Sequence, residues 1–202
     1  MEQAKQYEYV DLGLPSGLKW AKCNVGAEKE TDYGDYFMWG STTPNTADEC
    51  TWANYKHCSG IEDTLTKYNT KIKYGKNPDN IITLDLEDDA ARANMGGDWR
   101  MPTSDELREL LDNTTNEWAI INSVNGRKFT SKTDTSKYIF FPAAGNCGNG
   151  LVYDGGNYGF VRSSSLDASN PRNAWYLLFG LYYCNIGSSF RCYGRSVRGV
   201  MK

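Results

Sequence analysis

Signals that start and stop α-helices fall in a single stretch of this 202-residue chain, between Asp85 and Asn113. Asp85 is placed to cap LEDDAARANM, with Glu87, Asp88 and Asp89 in the first turn, where carboxylates suit the positive end of the helix dipole. Read that way, the acidic trio is a helix-end feature rather than a cation site, and Gly96 and Gly97 stop the helix. Thr103 and Glu106 then show the T-x-x-E spacing of a capping box, and Leu107, Leu110 and Leu111 form one apolar stripe. Everything outside this stretch has to fold as strands, turns and irregular chain. YEYVDLGL (7–14) and GLKWAKCNVG (17–26) read as a hairpin around Pro15, Ser16 and Gly17. Strands follow the second helix in NEWAIIN, GRKFTSK and KYIFFPAAG (137–145), then in AWYLLF (174–179), and SVRGV (196–200) closes the chain. Between hairpin and helices, Asp32 to Trp39 reads as an extended aromatic segment under the core. Residues 40–80 read as a long irregular excursion pinned by Trp52, Tyr55 and Tyr68. The fold class is α+β. Evenly scattered turn signals and the lack of a Pro- or Ser-rich linker favour one domain over residues 1–202.

The last third has its own composition. Of thirteen Lys none lies between Tyr138 and Met201, and of ten Glu none follows Glu117. An even spread would put roughly four of each there. Tyr, Phe, Ser, Gly, Asn, Cys, Leu and Arg fill residues 155–200 instead. That set suits a contact surface, with rigid aromatics for area and small polar groups for adaptable hydrogen bonds. In AWYLLF, Trp175, Leu177 and Phe179 alternate with Ala174, Tyr176 and Leu178. Either one face is core and the other a contact surface, or the strand is buried on both.

Other classes find little support. A net charge of −3 provides no basic face for nucleic acid. No apolar run approaches a membrane span, so no direct membrane insertion is expected. MEQAKQYEYV shows no apolar export signal. The six cysteines contain no CxxC pair, which argues against zinc, and they leave disulfide pairing open. The one histidine, His57 in NYKHCSG, reads as a surface loop residue. No metal, cofactor or catalytic residue is expected.

Four segments together resemble a known family: YVDLGLPSGLKWAKCNVGA (9–27), DDAARANMGGDWRMPTSDEL (88–107), IFFPAAG (139–145) and RSSS…NAWYLLF…RCYGRSVRGV (162–200). They are similar to the C-type-lectin-fold domain, of the formylglycine-generating-enzyme-like subclass, that is frequent in Bacteroides, related gut bacteria and their phages. The resemblance implies two helices, small antiparallel sheets and paired N- and C-terminal strands, with Trp20, Trp39, Trp99, Trp118 and Trp175 holding a stable scaffold. The tail further resembles the variable region of a diversity-generating retroelement target, whose gene is rewritten at adenines. An AAC codon changed at its first two bases cannot yield Lys, Glu, Gln, Met or Trp, which matches the deficit in residues 155–200.

Carried over by position, the resemblance implies a ligand-binding set of Phe160, Val161, Tyr176, Leu178, Gly180, Leu181, Tyr182, Tyr183, Cys184, Asn185, Ile186, Gly187, Ser188, Ser189, Phe190, Cys192, Tyr193 and Arg195. Trp175, Arg191 and Gly194 would be fixed. Arg162 stands where the family has Trp, and Gly199 where it has Pro. The implied partner is a protein or glycan receptor on another cell, host or phage, and the implied location is a cell surface or phage particle. A fixed-specificity adhesin or tip domain of the same fold is the alternative. An oxidase of the formylglycine-generating type is a further one, for which Cys184 and Cys192 are the candidate pair. The Glu-Pro-Asn and Trp-Asn-Asp motifs of calcium-dependent lectins are missing.

Overall fold

The two ends of the chain meet in one sheet. In the computed structural model, which describes residues 6–202, β1 (Tyr9–Asp11) and β2 (Lys19–Ala21) form the expected antiparallel hairpin. Residues 1–5, on which the export-signal reading partly falls, lie outside the described residues. Both strands are shorter than their sequence patterns, because Leu12, Leu14 and Leu18 turn inward and are buried under the hairpin. The two helices are α1 (Ala90–Met95) and α2 (Ser104–Asn113). A three-stranded meander follows, of β3 (Thr114–Ile121), β4 (Val124–Ser131) and β5 (Tyr138–Pro142). Next come a small hairpin of β6 (Asn146–Gly148) and β7 (Leu151–Tyr153), and a second meander of β8 (Gly159–Leu166), β9 (Asn173–Phe179) and β10 (Cys184–Phe190). Finally β11 (Val200–Met201) pairs with β2, opposite β1. The architecture is α+β, with small antiparallel sheets. Among the described residues, no helix is long and apolar enough to cross a membrane.

Both helices start at an oxygen that accepts an otherwise orphaned N–H. For α2 the box is complete: Thr103 Oγ1 accepts from the Glu106 N–H (3.2 Å), and the Glu106 carboxylate accepts from the Thr103 N–H (2.8 Å). Leu107 and Leu110 are buried and Leu111 partly so. α1 begins later than its sequence pattern implies. Its cap is Asp89, which accepts from the N–H groups of Arg92 (2.9 Å) and Met101 (2.8 Å), and not Asp85. Leu86–Asp88 is a separate 3-10 turn. The reason lies in Asp88, which is buried and accepts from Lys56 (2.6 Å), Lys67 (2.7 Å) and the Tyr68 hydroxyl (2.6 Å). Those bonds hold the turn away from helical geometry.

Three apolar clusters make the core. The largest sets α2 and the first hairpin against Phe129, Ile139 and Phe141 of the first meander and Val161, Leu177 and Phe179 of the second. Another joins Trp39 and Tyr68 to α1, Leu166 and Val197, and the third gathers Met38, Tyr55 and three cysteines. Trp20, Trp39 and Trp99 are buried as the scaffold reading implies, whereas Trp118 and Trp175 are partly exposed. Residues 40–80 contain only short 3-10 turns, as expected of an irregular excursion. Tyr55 and Tyr68 are buried in it, and Trp52 stays partly exposed.

His57 corrects the sequence reading. It is buried, lying edge-on to Tyr55 (5.7 Å) and Tyr68 (5.2 Å), with Nε2 3.5 Å from Asp88 Oδ1. Burial pulls its pKa from 6.5 down to about 4, against the partial support of Asp88. Asp88 itself is pushed up by burial, but the hydrogen bonds from Lys56, Lys67 and Tyr68 win and hold it well below the usual carboxylate range.

Arg198 is also fully buried, donating to Asn24 Oδ1 (2.9 Å) and to the carbonyls of Ala21 (2.9 Å), Lys22 and Phe140 (2.9 Å). Arg198→Met leaves those carbonyls without a donor and should cost roughly 3 kcal/mol or more in urea unfolding. The pH dependence follows from His57. The unfolded state takes up a proton as pH falls below 6.5 and the folded state resists until about 4. Stability is therefore full above 6.5 and lost as pH falls toward 4. His57→Gln should remove that part of the acid slope in unfolding midpoints measured from pH 7 to pH 4.

Candidate functional site

The second meander carries most of the residues singled out in the sequence. Cross-strand partners in an antiparallel sheet point to the same side. Pairing Phe160 with Leu178 and Asn185, and Arg162 with Tyr176 and Gly187, therefore defines one face. The opposite face carries Val161, Leu177, Phe179, Cys184 and Ile186, all packed on the largest core cluster. At the core-facing end, Gly159 lies against the Phe179 ring, where a Cβ would collide with it.

The hairpin tip between β9 and β10 is the open part. Gly180 donates to the Tyr183 carbonyl (2.9 Å) to close the turn, and Arg127 donates to the Gly180 carbonyl (3.3 Å) from below. Leu181 is 51% exposed, Tyr182 92% and Tyr183 37%. The Tyr183 ring lies 5.9 Å from that of Tyr158, and burial beside that ring raises the Tyr183 hydroxyl pKa. Asn157, Tyr158, Leu181, Tyr182 and Tyr183 border a shallow depression of about 350 Å³. Asn185 is exposed, while Phe160, Leu178, Gly187, Ser188, Ser189, Phe190 and Tyr193 are each partly exposed. Ser188 Oγ donates to Asp167 (2.7 Å), and Phe190 lies between Trp52 (5.7 Å) and Tyr193 (5.9 Å).

Five of the expected binding residues are enclosed: Val161, Tyr176, Gly180, Cys192 and Arg195. Val161 belongs to the core face. Tyr176 lies on the outer face but is covered by the Arg195 guanidinium, 3.6 Å from its ring centre, and Arg195 also reaches over Phe160 (5.0 Å). A guanidinium over two aromatic faces exchanges hydration for cation–π contact. Burial pulls Arg195 down to about 10, which leaves it charged at neutral pH. Cys184 and Ile186 keep only part of their surface, their side chains turned to the core. The outward surface is thus narrower than the sequence pattern implies, and shifted toward the tip.

The structure adds residues that sequence reasoning passed over. Leu151, Val152 and Tyr153 of β7 are all exposed, and the turn from Asp154 leads directly to Asn157 and Tyr158. The available signal was three consecutive apolar residues in a turn-rich stretch, a pattern that a soluble surface ordinarily avoids. Cys184 and Cys192 flank the strand from opposite ends, about 20 Å apart by strand rise, and pack in different clusters. The acidic group Asp85, Glu87 and Asp88 is held together by Lys67, whose ammonium bonds all three at 2.7–3.0 Å.

Comparison with known protein families, with curated proteins and with solved structures found no match. Burial separates the two kinds of tyrosine on this surface. Tyr182→Ala should shift Tm by about 2 °C or less. Tyr176→Ala empties a buried site and strands Arg195, and should lower Tm by roughly 10 °C. Thermal unfolding followed by near-UV circular dichroism checks both.

Proposed function

We propose that this chain is a binding protein of the C-type-lectin fold, whose outward surface on the β8–β9–β10 sheet and its tip takes a protein or glycan receptor on another cell, host or phage. The observation that carries the proposal is the tip itself. Leu181, Tyr182 and Tyr183 stand exposed beside Tyr158, at the end of a sheet whose other face is buried. Exposed aromatics grouped on a rigid support mark an interaction site, since tyrosine gives contact area at low entropic cost. Asn185 and Ser189 along β10 add adaptable polar groups, whereas Ser188, paired with Trp175, lies on the opposite face. The meeting of the terminal strands in one sheet, two helices and several small antiparallel sheets are in keeping with the proposed fold.

On this reading the tip sequence is one draw from a retroelement-diversified set, carried on a bacterial surface or phage particle. A fixed-specificity domain of the same fold is the second reading. Burial of Val161, Tyr176, Cys192 and Arg195 favours it, because rewriting those positions would disturb packing. The codons for residues 155–200 and their surrounding locus separate the two. Diversification expects a nearby repeat that differs at adenines, a reverse transcriptase gene, and codons ending in a shared C or T at Tyr176, Leu178 and 180–190. A locus with neither repeat nor reverse transcriptase overturns it. For binding itself, a glycan array and a panel of whole bacterial cells should retain the native chain. A Leu181→Asp/Tyr182→Ala variant with native Tm should lose at least tenfold in retention, and equal retention of the two proteins would remove the tip from the site.

A further inference from the structure

The third core cluster contains a thiol pair that plays no part in the binding surface. Cys50, in the irregular excursion, and Cys147, in β6, lie 97 residues apart in sequence, and their Sγ atoms are 3.1 Å apart. Both are free and fully enclosed. The surrounding backbone is tied on every side. Cys147 exchanges two 2.8 Å backbone hydrogen bonds with Gly194, Asn149 donates to the Cys50 carbonyl (3.3 Å), and Gly150 donates to the Ala47 carbonyl (3.0 Å). Gly194 sits where the sulfurs converge, and a Cβ there would run into both. A disulfide requires an S–S distance of about 2.05 Å, so the two sulfurs need to close by only about 1 Å.

The charge environment acts in the same direction. In the closed pair the hydrogen bond between the thiols raises Cys50 and lowers Cys147, and the Gly194 N–H and the buried Arg162 guanidinium favour a thiolate at either sulfur. Arg162 has no carboxylate partner among the described residues. It donates to the carbonyls of Phe190 (2.8 Å), Arg191 (3.4 Å) and Tyr193 (2.7 Å), and its Nε and Nη1 have no hydrogen-bond partner among the described residues.

We infer that Cys50 and Cys147 form a disulfide by exchange with a low-molecular-weight disulfide, such as oxidised glutathione, while the chain folds. One of the two cysteines, as its thiolate, attacks one sulfur of the oxidant and expels the first small thiolate, leaving a mixed disulfide. The other cysteine then attacks the protein sulfur of that mixed disulfide and expels the second small thiolate. The oxidant's S–S bond breaks and the Cys50–Cys147 bond forms. Both electrons and both thiol protons leave with the two released small thiols. Because the finished site is closed to solvent, exchange precedes closure, and the bond is afterwards shielded from reductant. The product clamps the excursion to β6. Gly148 of β6 packs against the Tyr193 ring, so the clamp also stiffens the support beneath that edge of the outward surface.

The full chain, unfolded in urea, is diluted into a buffer of reduced and oxidised glutathione or into excess reductant, then alkylated and mapped as unreduced peptides by mass spectrometry. The expected result is one linked peptide joining Cys50 to Cys147, with Cys23, Cys58, Cys184 and Cys192 alkylated. Tm of the oxidised form should rise by roughly 5–15 °C. A Cys50→Ser/Cys147→Ser variant should lack the shift. Mapping the unaltered chain after purification without reductant decides the matter even if that variant or the refolding fails. Alkylated Cys50 and Cys147 in the oxidised product, or a link through Cys58 or Cys192, overturns the inference. An unchanged Tm in the linked form overturns the clamp.

Discussion

Buried guanidinium groups that donate to main-chain carbonyls hold this structure together. Long stretches of the chain lack regular hydrogen bonding, yet their backbone groups still need partners once enclosed. Arg191 serves the excursion, donating to the Tyr68 carbonyl (2.9 Å) and the Lys67 carbonyl (3.4 Å), with its plane over Trp39 and Tyr55. Arg162 gathers the chain after β10, and Arg198 joins the first hairpin to β5. Arginine suits this role because it offers five donors in a rigid fork and stays charged in surroundings that would neutralise lysine. A charged donor to a carbonyl is also about twice as strong as a neutral one. Burial pulls Arg162 and Arg198 down to about 9, still above neutral pH.

The same interaction divides the second meander into a fixed end and a free end. At the fixed end, Arg162 holds Phe190, Arg191 and Tyr193 by their carbonyls, and Arg195 roofs Tyr176. At the free end the chain turns between β9 and β10 over Arg127 and the Tyr158 ring, and Leu181 and Tyr182 face solvent.

Much of the fold was legible in the sequence because local chemistry carried it. The Thr103–Glu106 box, the Leu107 and Leu110 stripe, the first hairpin and the strand spans around 114–142 depend on residues close together in the chain. The start of α1 was misread because Asp88 is engaged by Lys56, Lys67 and Tyr68, from 20 or more residues upstream. His57 was misread for the same reason, since nothing in NYKHCSG reveals Tyr68 or Asp88 beside it. Alternation in AWYLLF put Leu177 and Phe179 on the core face, but the strand is largely buried on both faces, with Ala174 and Tyr176 enclosed and Trp175 partly exposed. It could not reveal that Arg195 would come back over Tyr176. Composition set the tail apart from the rest of the chain, but exposure of Leu181 and enclosure of Cys192 are set by tertiary contacts.

Cover over one end of the sheet and openness at the other make tolerance to change graded along β10. Substitutions at Leu181, Tyr182 or Asn185 meet mainly water, so each can be exchanged independently of its neighbours. Near Tyr176, Cys192 and Arg195 the side chains share space, and a change at one demands a matching change at another. A population of chains varied across this surface would therefore be filtered twice, first for foldability at the roofed end and only then for affinity at the tip. The number of distinct usable surfaces is set by the open positions, far fewer than the length of residues 155–200 would allow.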